Sequence, residues 1–440
     1  MYIKIPSELR PLPAVNFARF LSGCNESSVF TYDFKDMQHC HPYGLLVLAS
    51  AIRNNMKKYA RAKHEVINPM ETQGGQFAAS FGFYQSIGFD IGEAKEETDI
   101  GDNYIPIKKI TAKDLHAKYS GSTLLNDKVQ RYSGELADTL VPDKPTAVKE
   151  ALQYCFREII RNTFEHAKTE ELWVCGQFWP SRNEAEIAIL DEGIGIFQSL
   201  QNNRRIQAKN CTSANLLALQ PGLSRTLGCV SDPDDTWQNS GYGLYVASTV
   251  SALCDGYFIL NSGDSAVLVS KEGQTQYNSY QLGTAICLNL HTDGSKIAHF
   301  AETLQAIVDE GQQIAGKNSD QRILTASKTT TTASMLRHIS SAIDVKVDPI
   351  ITFLGEAMIP LNACAWFTAE GAYANGDVSG TFVYNEKTYP GLLLNVSAIN
   401  RKKYIENQVK IPVVVRKTRG NKYTLMEKHK FDKTHRNMKP

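Results

Sequence analysis

The sequence lacks several features that would point to a membrane or secreted protein. Its 440 residues contain no apolar run of about 18, the length that a membrane-spanning helix needs, and Met1 to Pro13 has no signal-peptide pattern. Its nine cysteines form no CxxC pair and no zinc-ligand spacing, so we expect reduced thiols. The net charge of +1 gives no overall signature of binding to nucleic acid or membranes. These absences predict a cytoplasmic protein with no membrane partner.

The chain is long enough for more than one hydrophobic core. A protein of 440 residues is expected to form two or three domains. We predict a small α/β domain over residues 1–120, an α/β domain over 121–316 and a mixed domain of unknown fold over 317–440. The predicted fold class is therefore α/β (α+β).

The most informative segment is a helix predicted from Arg157 to Ala167. At about 100° per residue, its apolar residues fall on one stripe that would face a core. Its polar side carries two carboxylates, an amide and an imidazole, which belong to Glu158, Glu165, Asn162 and His166. These groups are typical of ligand binding and proton transfer, and an ordinary solvated helix face is the alternative.

Two strands follow this helix and end at a carboxylate. Leu172 to Trp179 and Glu184 to Leu190 are rich in β-branched and aromatic residues, and the second strand leads to Asp191. A carboxylate there can accept a hydrogen bond from an exocyclic amine. Gly193 and Gly195 let the backbone approach a flat base, although a DxGxG pattern alone is common by chance.

A second glycine motif, Ser240 to Leu244, leads into a helix predicted from Tyr245 to Cys254. Glycines at a helix start present free N–H groups that form an anion site, and a tight turn without a ligand is the alternative. Further strands are predicted at Gly256–Leu260, Ala266–Ser270 and Thr284–Leu290.

In this order the motifs resemble those of the GHKL ATPase superfamily, which includes gyrase B, the large heat-shock chaperones, MutL, histidine kinases and anti-sigma serine kinases. The resemblance covers Val129 to Leu290 and consists of a helix with ExxxN, a strand pair, DxGxG, a long loop, GxGL and a late GT. It implies the Bergerat-type α/β sandwich of that superfamily for residues 121–316, with a pocket for ATP and Mg²⁺.

The resemblance also implies a role for each matching residue. Asn162 matches the asparagine that holds Mg²⁺ between the phosphates, and Glu158 matches the carboxylate that activates water in the hydrolysing members. Asp191 matches the aspartate that binds the adenine amine, supported through water by the hydroxyl of Thr284. The residues that match contacts to the base, ribose and phosphates are Gly193, Gly195, Gly241, Gly243 and Leu244.

Two positions leave more than one interpretation open. His166 stands where sensor-type relatives carry an aromatic residue or a histidine, which implies a contact to phosphate or to a residue beside it. A structural histidine is the alternative. Glu165 departs from the lysine common in those relatives, which weakens the analogy with sensors.

Residues 196–239 match the segment that covers the nucleotide as a lid in this superfamily. We predict a short helix from Thr212 to Gln220, because loops of this length rarely lack structure. Ser224 and Arg225 would then reach the γ-phosphate, since arginine suits phosphate geometry. A surface turn is the alternative at these two residues.

The segment before the ATPase motifs resembles the STAS domains of anti-anti-sigma factors. A strand is predicted at Ser28–Phe34 and an apolar helix at Pro42–Lys58. The stretch His41 to Leu45 matches the turn that carries the phosphorylated serine in those factors, but the serine is missing. This departure argues against a serine phospho-switch and leaves Tyr43 as the hydroxyl to consider.

No family resemblance is evident in residues 317–440. A helix is predicted at Met335–Ile343 and strands at Thr381–Tyr384, Leu392–Val396 and Lys410–Val415. Residues 401–440 contain 13 Lys and Arg against three Asp and Glu. Such a basic tail can contact nucleic-acid phosphates, and a solvated tail is the alternative.

These observations predict a cytoplasmic regulatory or effector protein that binds Mg·ATP and hydrolyses it slowly to control a protein partner or its own domains. A homodimer is compatible with the sequence. One alternative is a serine/threonine protein kinase of the anti-sigma type. Another is a binding module gated by ATP without hydrolysis, with nucleic acid as a partner of the basic tail.

Overall fold

The computed structural model describes residues 1–92, 103–120, 124–201, 206–223, 241–293, 299–319, 364–372, 377–384, 387–393, 396–406, 410–419 and 422–427. Contacts divide the chain into two compact units, 1–347 and 348–440. The protein is a mixed α/β protein, as the sequence predicts. The predicted helix Met335–Ile343 and the basic residues after Glu427 lie outside the described residues.

The first unit contains both helices and strands. Its described helices are α1 (Pro11–Ser22), α2 (Pro42–Lys58), α3 (Gln73–Ser80), α4 (Phe83–Ser86), α5 (Ala112–Lys118), α6 (Leu125–Leu140), α7 (Thr146–His166), α8 (Gly195–Leu200), α9 (Cys211–Ala218), α10 (Gly243–Leu253) and α11 (Phe300–Ser319). Its described strands are β1 (Tyr2–Lys4), β2 (Glu8–Leu9), β3 (Val29–Asp33), β4 (His39–Cys40), β5 (Lys63–Ile67), β6 (Tyr104–Thr111), β7 (Glu171–Trp179), β8 (Glu184–Asp191), β9 (Tyr257–Ser270) and β10 (Gly273–His291).

The amino-terminal segment forms a small parallel sheet of three strands in the order β1-β3-β5. The predicted strand at Ser28–Phe34 and helix at Pro42–Lys58 are confirmed as β3 and α2. Pro42 occupies the first turn of α2, where proline removes no intrahelical hydrogen bond. The side chain of Tyr43 is fully buried, so its hydroxyl is closed to a modifying enzyme in this fold.

A second sheet has five strands in the order β6-β7-β8-β10-β9, and all neighbours are antiparallel. The predicted strand pair appears as β7 and β8, joined by a 3₁₀ turn at Pro180–Arg182. The strands predicted at Gly256–Leu260 and Ala266–Ser270 are parts of one strand, β9. The edge strand β6 precedes the predicted domain boundary at residue 120, so the sheet includes a part of the chain that was predicted to belong to the amino-terminal domain.

Helices cover both faces of this sheet, and the central strand β8 is buried along its whole length. On one face lies α7, whose apolar stripe belongs to the main core.

On the other face lie α1 and α2. There the fully buried carboxylate of Glu186 accepts hydrogen bonds from His41 Nδ1 at 2.9 Å, the Tyr43 backbone at 3.1 Å and the Tyr257 hydroxyl at 3.0 Å. The carboxylate therefore caps the start of α2, since a negative charge stabilises a helix N-terminus.

The second unit contains a closed barrel of five strands. Its described elements are β11 (Cys364–Ala372), β12 (Val378–Tyr384), β13 (Lys387–Leu393), α12 (Ala398–Glu406), β14 (Ile411–Arg419) and β15 (Lys422–Glu427). The barrel order is β11-β12-β13-β15-β14, with β13 and β15 parallel and the other pairs antiparallel. This order, with a helix between the third and fourth strands, is that of an OB-fold barrel. Phe367 and Phe382 fill its interior.

Candidate functional site

One pocket of the first unit lies where α7 faces the end of β8, the start of α10 and the middle of β10 at Thr284. It encloses about 880 Å³ of space free of protein atoms, part of which is open solvent at the mouth. The sequence-predicted residues that line it are Asn162, His166, Asp191, Gly195, Gly241, Gly243, Leu244 and Thr284. Residues from the helix, both glycine motifs and the late GT turn therefore meet in one cavity.

The apolar wall of the pocket comes from residues that were not predicted to belong to the site. Ile189 and Ile286 are paired across β8 and β10, two positions from Asp191 and Thr284, which are also paired. Because side chains alternate along a strand, these four residues share one face of the sheet. Because Ile189 is two positions before Asp191 on a predicted strand, the period of two could have indicated that both side chains lie on the same face.

Asp191 is the most strongly perturbed acid of the pocket. It is 4% exposed, and burial raises its pKa to about 7 against the effect of two hydrogen bonds. These bonds come from the backbone N–H groups of Gly193, at 2.9 Å, and Thr284. The carboxylate is thus held in one orientation by the turn that follows it and by the residue that faces it on β10.

The glycines of the two motifs are needed for different structural reasons. Gly195 and Gly241 adopt φ of +73° and +70°, a conformation that other residues rarely take. Gly193 does not line the pocket: a Cβ there would lie 2.1 Å from the Ala167 carbonyl oxygen, so this glycine lets the turn pack on the end of α7. Its predicted contact with a base is not visible in the pocket lining.

Glu158, the predicted general base, does not line the pocket either. Its carboxylate is nearly buried and accepts hydrogen bonds from Arg157, at 2.8 and 3.0 Å, and from Arg161 at 3.0 Å. It packs below the start of α10, where a Cβ at Gly243 would lie 2.6 Å from Glu158 Oε2. In this arrangement Glu158 compensates two guanidinium groups and the positive end of α10.

Asn162 lies one turn after Glu158 and does line the pocket. Among the described residues, no group of three or more His, Cys, Asp or Glu side chains is arranged to hold a metal ion. A Mg²⁺ at Asn162 would therefore need phosphate oxygens as further ligands, which is how this ion is often held in nucleotide sites.

The predicted lid is described only in part. Its helix predicted at Thr212–Gln220 is confirmed as α9, and Leu223 lines the pocket. Ser224 and Arg225, predicted to reach the γ-phosphate, follow Leu223 and lie outside the described residues. Arg161 also lines the pocket. It was not predicted as a site residue, because the polar face predicted for the helix did not include it.

A contact from outside the pocket supports its first glycine turn. Glu192, next to Asp191, accepts from Arg53 Nε at 2.9 Å, Lys57 Nζ at 2.7 Å and Ser50 Oγ at 3.2 Å, all on α2. Burial alone would raise the pKa of Glu192, but Arg53 and Lys57 hold it below the usual value. This contact could not be predicted from the sequence, since its partners are more than 130 positions apart.

Comparisons with protein-family models, curated proteins and solved structures find no match to this chain. Among the described helices, none has both the length and the apolar character that crossing a bilayer requires. The chemistry of the pocket is therefore the basis for proposing a function.

Proposed function

We propose that this protein is a cytoplasmic regulator that binds Mg·ATP in the pocket between α7 and the end of β8, and that it hydrolyses the nucleotide slowly. In this proposal, nucleotide occupancy controls a protein partner or the flanking segments of the chain. The observation that carries the proposal is that a single cavity joins Asp191 to Asn162 and to two glycine motifs. This is the combination implied by the resemblance to the GHKL superfamily.

The residues present fit the adenine part of the nucleotide. Asp191 is a buried acceptor held in place by backbone N–H groups, which suits an exocyclic amine. Ile189 and Ile286 supply an apolar surface beside it. A buried carboxylate without a donor from the ligand is costly, so the amine would also reduce the desolvation cost.

The residues also fit the phosphate part. Asn162 offers an amide oxygen to a phosphate-bound Mg²⁺, and Gly241 and Gly243 bring the N–H groups at the start of α10 to the same cavity. Bound Mg²⁺ would neutralise phosphate charge. Arg161 adds a cation on the same side of the pocket.

Hydrolysis requires one change at Glu158. Its carboxylate oxygens accept hydrogen bonds from Arg157 and Arg161 and do not line the pocket, so Glu158 must leave at least one of these arginines to reach a water beside the nucleotide.

The same contacts favour a second candidate, an ATP-gated binding module that does not hydrolyse. In that case Glu158 stays with its arginines and supports α10 from below. A protein kinase, the remaining alternative, would use the same pocket and differs only in the acceptor of the γ-phosphate.

The fate of the γ-phosphate tests these proposals. We would incubate the purified chain with Mg²⁺ and γ-labelled ATP and follow the label into free phosphate, into the chain and into added extract proteins. Glu158→Gln is compared with Glu150→Gln, an exposed residue of the same helix. Free phosphate that is lost only in Glu158→Gln supports hydrolysis, label on a protein supports the kinase, and bound ATP with neither product supports the gated module.

A further inference from the structure

A buried serine next to the pocket, Ser262 on β9, links two segments of the chain that flank Asp191. The residue is 1% exposed, and its hydroxyl makes two hydrogen bonds to the backbone. The Oγ donates to the Gly283 carbonyl oxygen at 2.7 Å and accepts from the Ile196 N–H at 2.9 Å. One hydroxyl therefore holds both β10, just before Thr284, and the start of α8.

Ser262 lies in the same row of the sheet as the carboxylate proposed to bind the adenine amine. Thr284 pairs with Asp191 on β8 and with Ser262 on β9. Residues directly opposite each other on adjacent strands share one face of a sheet, so all three side chains are on the pocket face. Asp191 and Thr284 line the pocket, whereas Ser262 does not. Ser262 is therefore placed to support the pocket and not to touch its ligand.

The hydroxyl of Ser262 bonds to β10 at an irregular point of the strand pairing. The register between β9 and β10 shifts there, because Gln281 pairs with Gly263 while Thr284 pairs with Ser262. Gly283 lies within this bulge with φ of +72°, and its buried carbonyl oxygen accepts the hydrogen bond from Ser262. The hydroxyl thus anchors the bulge, because a buried carbonyl oxygen needs a hydrogen-bond donor.

The bulge packs directly against the Asp191 carboxylate. A Cβ at Gly283 would lie 2.2 Å from the Asp191 carbonyl oxygen and 2.6 Å from its side-chain Oδ1. Because such packing leaves no free space, a shift of the bulge also moves the carboxylate. A Cβ at Gly195 would lie 2.8 Å from Ser262 Oγ, so the first turn of α8 packs on the same hydroxyl. Gly195 and Ile196 both line the pocket, and their position therefore depends on Ser262 as well.

Helix α9 is attached to the same residue of β9. Asn215 is fully buried, and its side-chain amide donates to the carbonyl oxygens of Ser262, at 3.2 Å, and Ser265, at 2.9 Å. Ala218, which is also on α9, lines the pocket. Three elements that contribute to the pocket wall, α8, α9 and β10, therefore meet at Ser262.

We propose that Ser262 is a positioning residue of the nucleotide pocket. It fixes the Asp191 carboxylate relative to the start of α8 and thereby determines the selectivity of the pocket for a base with an exocyclic amine. This inference rests on the function proposed for the pocket. A serine that only stabilised the fold would affect the binding of all nucleotides alike. Ser262 instead affects the part of the affinity that comes from the amine, since that part depends on the geometry of one hydrogen bond.

Calorimetric titrations in Mg²⁺ with ATP and with purine riboside triphosphate, which lacks only the exocyclic amine, test this proposal. We expect the wild type to prefer ATP by about tenfold or more and Ser262→Ala to prefer it by less than about threefold. The affinity of Ser262→Ala for purine riboside triphosphate should be within about twofold of the wild type. Ser262→Cys, which keeps a weaker donor, should lose only part of the preference. Ser133→Ala is the matched control, because it removes a fully buried hydroxyl that has no hydrogen-bond partner among the described residues.

Hydrogen exchange of residues 191–196, measured by mass spectrometry without nucleotide, separates this inference from the proposed function. This segment includes the Gly193 N–H, which donates to Asp191 Oδ1. Loss of one hydrogen bond should speed its exchange by about fivefold in Ser262→Ala, and Ser133→Ala should leave it unchanged. If the wild type binds neither triphosphate, the nucleotide function fails and the exchange result alone decides whether Ser262 positions Asp191. The inference is overturned if exchange is unchanged in Ser262→Ala, or if this variant loses affinity for both triphosphates by the same factor.

Discussion

Arg53 on α2 and Glu192 in the turn after Asp191 form a nearly buried ion pair, with Arg53 Nη2 2.8 Å from Glu192 Oε1. The guanidinium also lies 4.2 Å from the ring centre of Trp173, a neighbouring residue on β7. On the same helix, Asn54 donates to the Tyr280 hydroxyl at 3.3 Å and Ser50 accepts from Gln281 Nε2 at 3.3 Å. Helix α2 therefore contacts both segments that hold Asp191, the turn through Glu192 and strand β10 through Tyr280 and Gln281.

This contact predicts that α2 and the nucleotide pocket are energetically coupled. Glu192→Gln should lower the free energy of unfolding by about 2–4 kcal/mol, because it leaves the buried Arg53 without its anion. It should also weaken ATP binding, since the turn that orients Asp191 loses its support. The double variant with Arg53→Met should cost less than the sum of the single variants.

Urea unfolding and ATP titration of the four chains in this cycle measure both effects. Lys109→Met, which breaks an exposed pair with Glu171, is the control and should change stability by less than about 0.5 kcal/mol. Additive costs in the cycle, or an unchanged ATP affinity in Glu192→Gln, would show that α2 is not coupled to the pocket.

The burial of Asp191 predicts a specific pH dependence of stability. Its pKa is raised to about 7 in the folded chain, against about 4 when unfolded. Between these values the folded state binds more protons, so this group lowers stability as pH rises from 4 to 7, by up to about 4 kcal/mol in all. Asp191→Asn cannot ionise, and its stability relative to the wild type should therefore increase between pH 5 and pH 8. A difference in urea unfolding that stays constant over this range would contradict the prediction.

The approach of α10 to α7 predicts that a side chain at position 243 destabilises the fold. A Cβ at this position would lie 2.6 Å from Glu158 Oε2 and 3.0 Å from Glu158 Cβ. Gly243→Ala should lower the free energy of unfolding by about 1–3 kcal/mol, as overpacking does in other cores. Gly23→Ala is a control at a helix end where the nearest atom would be 3.6 Å away. In the Glu158→Ala background the same Gly243→Ala change should cost less, and an equal cost in both backgrounds would mean that the clash is elsewhere.

The metal proposal predicts that Asn162 matters only when Mg²⁺ is present. Chelating Mg²⁺ should weaken ATP binding to the wild type, because the phosphates lose their link to the amide oxygen. Asn162→Ala should bind ATP with the same affinity with and without Mg²⁺. Calorimetric titration in Mg²⁺ and in EDTA measures this difference, and an equal effect of EDTA on both chains would remove Asn162 as the metal ligand.

The parts of this structure that follow a local period could be predicted from the sequence. The stripe of α7 and the pair β7–β8 were predicted because each depends on residues a few positions apart. The end of β8 was correctly assigned to Asp191, and the pocket residues from four separate motifs meet in one cavity.

Contacts between distant segments could not be predicted in the same way. The pairing of β6 with β7, the Arg53–Glu192 pair and the closed barrel join residues that share no repeat in sequence. The packing role of Gly193 could not be predicted either, because it depends on a contact with a distant residue. A glycine needed for packing on Ala167 looks the same in sequence as a glycine needed for contact with a base.

The most direct test of the central claim is a calorimetric titration of Mg·ATP into the wild type and Asp191→Ala, with Asp143→Asn, an exposed carboxylate, as the control. Loss of a hydrogen bond to a charged group should weaken ATP binding by about 10- to 100-fold in Asp191→Ala and leave the control unchanged. GTP, which lacks the exocyclic amine at that position of the base, should bind the wild type weakly. Equal affinities of the wild type and Asp191→Ala for ATP would contradict the claim that this pocket is a nucleotide site.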